Sequence, residues 1–359
     1  MSTVFAPGAL LHDHDRWDDD PSPRMLRCAR IVARTPHIST FEFVSDDRRA
    51  LPRAAGQYVT VSADIDGERV SRCYTVSSPP TRPYSVQLTV KREADGVFSR
   101  WLHDTLRVGD RLELSGPAGE FSTAFHPADR VLLLAAGVGI TPMIAVLEAL
   151  HDLGDGTDAV LLHNSHDPES VVFARELEAL ANGNDTIRVV QAVSVDPAGT
   201  WAGPVGRLDA DMLTQHVPDL TTREVFVCGP DAYMQHAVAL LEELGVPVER
   251  IHVESFVLAE IAPPEVNDTA GAPGHTVSFA RSGKSVVIAE GETVLQAAKQ
   301  VGIRIMTSCQ NGLCGTCKIV KIAGEVDIAH NGGIRQREID AGKILACCSR
   351  PKGPVEVDV

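Results

Sequence analysis

The chain is poor in basic residues and has no long apolar run. Its 33 Lys and Arg face 48 Asp and Glu, which gives a formal net charge of -15. Nonspecific binding to nucleic acid or to an anionic membrane needs a basic surface, so neither partner is expected. A membrane-spanning helix needs about 18 or more apolar residues in a row, and the sequence has no such run. The opening residues, MSTVFAPGALLHDHDRWDDD, lack a positive region followed by an apolar core, so we expect no secretory signal and a cytoplasmic location.

Length and composition predict a soluble multidomain protein. The chain has 359 residues, of which 44% are hydrophobic and 23% charged, and this is too apolar for a disordered chain. Because one core rarely organises more than about 250–300 residues, we expect two or three domains. The pattern of the sequence predicts three folded units, which are an antiparallel β-barrel at 24–126, an α/β domain with a parallel sheet at 127–256 and a β-grasp-like α+β unit at 275–359. A polar tail at 1–23 precedes them, and a Pro- and Gly-rich linker at 257–274 separates the last two.

A group of cysteines in the last unit carries the strongest chemical signal. Cys309, Cys314 and Cys317 lie in the run SCQNGLCGTC, with the spacing C-x4-C-x2-C, and Cys347 follows after 29 further residues. This spacing is typical of a plant-type 2Fe-2S cluster, which four thiolates bind. Structural zinc is the alternative, but zinc modules usually pair two short C-x2-C turns and this sequence has one. Cys348 directly follows Cys347, so the spacing leaves the fourth ligand open by one residue.

Glycines after an apolar strand indicate a nucleotide site. The strand predicted at Val131 to Ala136 is followed by Gly137 and Gly139, and Thr141 and Pro142 open the next helix. Glycines at this point let the backbone pass close to a dinucleotide, and the free amides of a helix N-terminus can bind phosphate. Two glycines after a strand are a weak signal by themselves, so the prediction depends on the neighbouring motifs.

Three further motifs stand in the order of one flavoprotein family. They are Arg72-Cys73-Tyr74-Thr75 at the end of a barrel strand, Gly96-Val97-Phe98-Ser99 at the start of a helix downstream of Lys91, and Cys228-Gly229-Pro230 at the end of a parallel strand. With these motifs, residues 25–255 resemble the ferredoxin-NADP reductase superfamily. The resemblance implies an FAD-binding barrel and an NAD(P)-binding α/β domain, with a ferredoxin unit after the linker.

The resemblance also implies a role for each motif. The flavin would be held by Arg72 at a phosphate, by Tyr74 and Thr75 at the ring, with Thr75 near N5, by Lys91, and by Gly96, Val97, Phe98 and Ser99 at the pyrophosphate. The nicotinamide would be flanked by Gly137, Gly139, Thr141 and Pro142 and by Cys228, Gly229 and Pro230. Cys228, near the reactive carbon of the nicotinamide, and Thr75 are the catalytic candidates. Phe256 matches a family aromatic near the flavin, and the run ILACCSRP implies Cys347 as the fourth cluster ligand.

The coenzyme is predicted to be NADH. The segment that follows the second strand of the α/β domain reads His163-Asn164-Ser165-His166-Asp167. Members of the family that select NADPH tend to place an Arg there, because a guanidinium binds the 2′-phosphate in a bidentate manner. Neutral histidines do this poorly, and Asp167 would repel the phosphate. NADPH is therefore the less favoured coenzyme.

The three cofactors imply a single activity, in which electron pairs from NADH reach FAD and pass singly to the 2Fe-2S cluster. Two runs, SRWLHDTLRVGDRLELSGPAGEF and HNGGIRQREIDAGKILACCSRP, are similar to the reductases of Rieske-type oxygenases of the glycine betaine and quaternary-ammonium demethylase type. We therefore predict an NADH-dependent oxidoreductase that serves a separate terminal oxygenase. Hybrid-cluster protein reductases share the same runs, so such a protein or another monooxygenase is the alternative acceptor. A flavin reductase with a structural zinc interaction module is the alternative from a different class.

The acidity of the chain is unevenly distributed. Residues 275–359 hold 11 Lys or Arg and 8 Asp or Glu, so this unit carries +3 and the rest of the chain -18. A mildly basic ferredoxin unit would be attracted to the acidic flavin half or to an acidic oxygenase surface.

Overall fold

The computed structural model describes residues 23–254, 274–303, 305, 312, 317–330, 334 and 336–359. These residues form two compact units, one built mainly from 23–254 and the other mainly from 274–359. Within the described ranges, no helix is both long and apolar enough to cross a membrane. Three of the predicted site residues, Phe256, Cys309 and Cys314, lie outside the described residues.

The first part of the first unit is a closed antiparallel sheet. Its elements are β1 (Arg24–Thr35), β2 (Ile38–Val44), β3 (Tyr58–Ile65), β4 (Glu68–Thr75), β5 (Ser85–Lys91), α1 (Val97–Asp104) and β6 (Arg111–Ala118). The strands are ordered β4-β3-β6-β1-β2-β5, and a bridge between Val76 and Leu88 links the two edges of this sheet. Alternate residues of β5, such as Val86 and Val90, point inward and pack with Phe98 of α1 in one core. The predicted antiparallel barrel is confirmed.

The second part of the first unit is a parallel sheet covered by helices. Its elements are β7 (Arg130–Ala136), α2 (Ile140–Leu153), β8 (Asp158–Ser165), α3 (Ala174–Gly183), β9 (Ile187–Val193), α4 (Ala210–His216), β10 (Glu224–Cys228), α5 (Asp231–Glu243) and β11 (Ile251–Glu254). The five strands are parallel and ordered β11-β10-β7-β8-β9. Val131 and Leu133 of β7 pack in one core and Leu132 and Leu134 in another, so the central strand is buried on both faces. The α/β prediction is confirmed.

The second unit combines a mixed sheet with short helices. Its elements are β12 (Gly274–Phe279), β13 (Lys284–Ala289), α6 (Val294–Gln300), β14 (Lys318–Ala323), β15 (Val326–Ile328), α7 (Gln336–Asp340), β16 (Lys343–Leu345), β17 (Ser349–Pro351) and β18 (Val355–Val357). The main sheet has the order β13-β12-β18-β14-β16, in which only β12 and β18 are parallel. Thr293 and Gln296 form a capping box at the start of α6, which fixes where this helix begins. The α+β prediction is confirmed, whereas the residue boundaries of the domains stay predictions.

Candidate active site

A buried carboxyl group lies at the end of the last parallel strand. Glu254 ends β11, and its Oε2 atom accepts a hydrogen bond of 3.3 Å from Oγ1 of Thr75, which ends β4 of the barrel. Only 7% of Glu254 and 3% of Thr75 are exposed. Burial raises the pKa of Glu254 to about 8, although the hydrogen bond from Thr75 acts in the opposite direction. The carboxyl group is therefore largely protonated at neutral pH, directly beside the residue predicted to lie near the flavin N5.

Glu254 is a candidate that the sequence motifs did not identify. The run Glu254-Ser255-Phe256 matches the family only at its aromatic residue, and because acidic residues are rarely buried, the sequence predicts no role for the carboxyl group. The one available signal is its place at the carboxyl end of a parallel strand, where α/β sheets bind their ligands.

Cys228 lies next to Glu254 in the same sheet. It ends β10 and pairs in register with Glu254 of β11 on one side and with Ala135 of β7 on the other. The side chain is fully buried, and burial raises the pKa of the Cys228 thiol, with the nearby Glu254 acting in the same direction. The thiol is therefore neutral at physiological pH. The structure thus brings together both catalytic candidates, Cys228 and Thr75, around Glu254.

The glycine turn after β7 packs directly on the turn after β10. Gly137 to Gly139 form one 3₁₀ turn, and Gly137 adopts a left-handed φ of +54°. A Cβ atom on Gly139 would lie 2.3 Å from the carbonyl oxygen of Cys228 and 2.7 Å from the amide nitrogen of Gly229. Any side chain at position 139 would therefore separate the two turns. The two predicted nicotinamide segments meet backbone to backbone.

The remaining residues of these two turns shape the backbone. Oγ1 of Thr141 donates a hydrogen bond to the carbonyl of Val138 over 3.0 Å, and Thr141 and Pro142 are buried in the first turn of α2. Pro230 is exposed and immediately precedes α5. These side chains therefore fix the turns, and the surfaces available to a ligand are mostly main chain.

The predicted flavin residues of the barrel lie in β4, at the end of β5 and at the start of α1. The Tyr74 ring packs against Phe98, with ring centroids 6.1 Å apart. Nη1 of Arg72, in β4, donates to the carbonyl of Ser71 over 2.8 Å. Lys91, at the end of β5, is exposed and pairs with Glu93, with 3.1 Å between Nζ and Oε1. Phe98, a core residue of α1, thus holds Tyr74 in place. The start of the same helix is predicted to bind the pyrophosphate.

The segment at the start of α1 is shaped for an anion. Oγ of Ser99 donates to the carbonyl of Gly96 and accepts from the amide of Glu93, each over 3.2 Å. A Cβ atom on Gly96 would lie 2.3 Å from that Oγ, so a larger residue there would displace the Ser99 hydroxyl. Val97 is exposed and Phe98 is buried in the barrel core, which leaves the first-turn amides as the groups that can bind phosphate. The residues fit the FAD pyrophosphate through their main chain rather than their side chains.

Unpaired polar groups concentrate where a dinucleotide would lie. The described residues hold eight buried side-chain nitrogen or oxygen atoms without a partner, and six of these are on His163, Asn164, Ser165, Gln191, Asp196 and Trp201. The residues lie at the carboxyl ends of β8 and β9 and in the loop that follows β9. Since buried polar groups are normally hydrogen-bonded, the cluster fits a site that a polar ligand or water completes.

The same region corrects the placement of the residues used to predict the coenzyme. The prediction put His163, Asn164 and Ser165 after the second strand, but all three lie inside β8 and are buried. His166 and Asp167 alone follow the strand, and the Asp167 carboxylate accepts a 2.9 Å hydrogen bond from the amide of Ser170. The strand is longer than predicted because β8 stays paired with β9 as far as Ser165, which lies opposite Val193.

Two cysteines of the second unit face each other. The Sγ atoms of Cys317 and Cys347 lie 3.1 Å apart, and both side chains are buried. This exceeds the length of a disulfide and is short enough for both sulfurs to bind one metal ion. Sγ of Cys348 instead points toward the carbonyl of Leu345, at 3.8 Å. The donor chemistry fits an iron-sulfur cluster, whose other two predicted ligands lie outside the described residues.

Three family models match successive parts of the chain. They are the oxidoreductase FAD-binding domain at residues 30–123, the oxidoreductase NAD-binding domain at 133–239 and the 2Fe-2S iron-sulfur cluster binding domain at 278–352. The protein is therefore an oxidoreductase that uses NADH, FAD and a 2Fe-2S cluster, with electrons passing from NADH to FAD and then to the cluster.

Similarity over the whole length defines the family more closely. The chain is 40% identical over 349 residues to the glycine betaine monooxygenase reductase subunit of Pseudomonas aeruginosa, covering 93% of this chain and 94% of that one. It is 36% identical over 354 residues to the stachydrine N-demethylase reductase subunit of Rhizobium meliloti, covering 95% and 97%. The solved structure of phthalate dioxygenase reductase matches with a TM-score of 0.59 at 25% identity, covering 96% of this chain and all of that one. The chain belongs to the family of flavin- and iron-sulfur-dependent reductase subunits of oxygenase systems.

Proposed function

We propose that this protein supplies electrons to a separate Rieske-type oxygenase that demethylates a quaternary-ammonium compound. The observation that carries the proposal is the similarity, over more than nine-tenths of both chains, to reductase subunits named for glycine betaine and stachydrine. The acceptor is then a protein partner, with no part for nucleic acid or membrane. A cytoplasmic location is part of this proposal.

The cofactor ligands are proposed residue by residue. Cys309, Cys314, Cys317 and Cys347 would bind the cluster, a set supported by the 3.1 Å approach of the two described sulfurs. Arg72, Tyr74, Thr75, Lys91, Phe256 and the amides of Gly96 to Ser99 would hold FAD, a set supported by the packing of Tyr74 on α1. Gly137, Gly139, Thr141, Pro142, Gly229 and Pro230 would form the nucleotide side, supported by the contact of the two turns. When bound, the cofactors accept the electron pair of NADH and release it one electron at a time.

At the reacting centre the chain itself supplies buried, uncharged side chains. Cys228 and Thr75 are buried and uncharged, and burial favours the neutral form of Glu254. Neutral polar groups held in place can orient the flavin and nicotinamide rings, and burial keeps water and competing charges away from them. We propose that Thr75 and Cys228 contact the flavin and the nicotinamide, and that Glu254 orients the Thr75 hydroxyl through their hydrogen bond.

Reconstitution tests the proposed partner. The purified reductase, NADH and a Rieske oxygenase component that acts on glycine betaine or stachydrine should together release formaldehyde, and omission of the reductase is the control. Rapid reduction of a hybrid-cluster protein, with no turnover by either oxygenase, would favour the alternative acceptor.

Metal and sulfide analysis tests the cluster itself. Two iron atoms and acid-labile sulfide per chain, with an EPR signal after dithionite, are expected. Zinc without sulfide would instead support a flavin reductase that carries a structural zinc module.

A further inference from the structure

A buried histidine lies beneath the glycine turn of the α/β domain. His163 is in β8, its side chain is 1% exposed, and its Nε2 atom is 3.1 Å from the carbonyl oxygen of Gly137. The register of the sheet places His163 beside Ala135, two residues before that glycine. The imidazole on β8 thus contacts the turn that follows the neighbouring strand, β7.

The chemistry of this contact fixes the tautomer of the imidazole. Burial lowers the pKa of His163 to about 4, so the ring is neutral at physiological pH. A carbonyl oxygen can only accept a hydrogen bond, so the single ring proton must be on Nε2. Nδ1 is then an acceptor, and it has no partner among the described residues. His163 therefore acts as a fixed donor to the turn across the pH range of the enzyme.

The hydrogen bond determines which way a peptide group faces. In a trans peptide the carbonyl of Gly137 and the amide of Val138 point in opposite directions. With the carbonyl held toward His163, the Val138 amide is turned away from β8. Gly137 has the left-handed φ of +54° that permits this orientation, and the amide of Ile140 also donates to the same carbonyl.

We propose that His163 is a positioning residue for the dinucleotide, which holds the Gly137 peptide so that the Val138 amide faces the bound coenzyme. The inference rests on the proposed role of the glycine turn in coenzyme binding. Without the donor at position 163 the carbonyl keeps the Ile140 amide but loses the hydrogen bond that ties it to β8, so the peptide is held less firmly. The coenzyme would then bind more weakly, while the transfer step after binding would change little.

Two substitutions separate the donor from the bulk of the ring. His163→Leu removes the donor, and His163→Gln keeps an amide donor near the position of Nε2. We expect His163→Leu to raise the dissociation constant of NAD⁺ by calorimetry, and the KM for NADH, by about tenfold with kcat within about twofold. His163→Gln should remain within about threefold of the wild type. The control is His236→Leu, because Nε2 of His236 likewise contacts a backbone carbonyl, that of Leu208 at 2.8 Å, outside the site.

A second measurement reads the tautomer in the wild-type protein and uses a variant only to assign the resonance. In ¹⁵N-histidine NMR spectra of the wild-type holoprotein, the resonance lost in His163→Gln should have the Nε2–H pattern and stay constant from pH 6 to 8. An Nδ1–H pattern, a titrating ring, or unchanged NAD⁺ affinity in His163→Leu would overturn the inference. These results do not involve the oxygenase, so they are distinguishable from a failure of the proposed partner.

Discussion

Replacing the buried carboxyl group of Glu254 by an amide should stabilise the first unit at neutral pH. The Glu254→Gln side chain has the same shape, and its carbonyl oxygen can still accept the hydrogen bond from Thr75. In the native protein the pKa of Glu254 is raised from 4.5 to about 8, so the folded state holds a proton that the unfolded state releases above its own pKa. The stability contributed by this group is therefore full below pH 4.5 and is lost as the pH rises toward 8.

The size of the effect follows from the two pKa values of Glu254. One pKa unit corresponds to about 1.4 kcal/mol, so at pH 7 the wild type is destabilised by about 3 kcal/mol relative to a neutral side chain. At pH 5 the difference falls below about 1 kcal/mol, and above pH 8 it levels off near about 5 kcal/mol. The advantage of Glu254→Gln should thus grow with pH.

Denaturant unfolding at pH 5, 6, 7 and 8, followed by flavin fluorescence at equal FAD content, measures this difference. Glu178→Gln is the control, because Glu178 is an exposed carboxylate on α3, and it should change the free energy of unfolding by less than about 0.5 kcal/mol at every pH. A difference between wild type and Glu254→Gln that is independent of pH, or that shrinks as the pH rises, would refute the burial argument.

Three further substitutions or comparisons test the other sites. Gly139→Ala should lower the free energy of unfolding by about 2 kcal/mol or more and weaken NAD⁺ binding strongly, because its Cβ would meet the Cys228 carbonyl at 2.3 Å. The control Gly154→Ala has nothing within 4 Å and should cost only about 1 kcal/mol of backbone strain. Equal losses of stability in the two variants would contradict the contact. Cys347→Ser should abolish the EPR signal of the reduced cluster and Cys348→Ser should retain it, and the reverse result would reassign the ligand. The ratio kcat/KM should favour NADH over NADPH by at least about tenfold, because Asp167 would repel a 2′-phosphate at the predicted site and the segment His163 to Asp167 contains no Arg to bind it. A clear preference for NADPH would contradict this prediction.

The fold was predictable because each sheet produces a recognisable pattern of apolar residues in the sequence. The apolar run at β7 is continuous since both faces of that strand are covered, and the alternation along β5 follows from a barrel with one dry face. The glycine turn was also predictable, because Gly139 is required by a backbone contact that no other residue permits. The end of β8 was misplaced, since the polar residues His163 to Ser165 look like a loop in sequence and are buried in the structure.

Glu254 and His163 show why part of the site escaped the sequence. Each is a titratable residue at the point where an apolar strand gives way to polar residues, and in sequence such a point looks like the start of a solvated loop. What gives each a role is a partner from another segment, Thr75 at a separation of 179 residues and Gly137 at a separation of 26. Periodicity reports which face of an element is buried and carries no information about which residue lies opposite. Polar residues at the carboxyl ends of buried parallel strands are therefore site candidates from the sequence alone, because α/β sheets bind their ligands at that edge. A buried polar group without a partner is costly, so a polar residue placed there indicates a ligand or a partner from another segment.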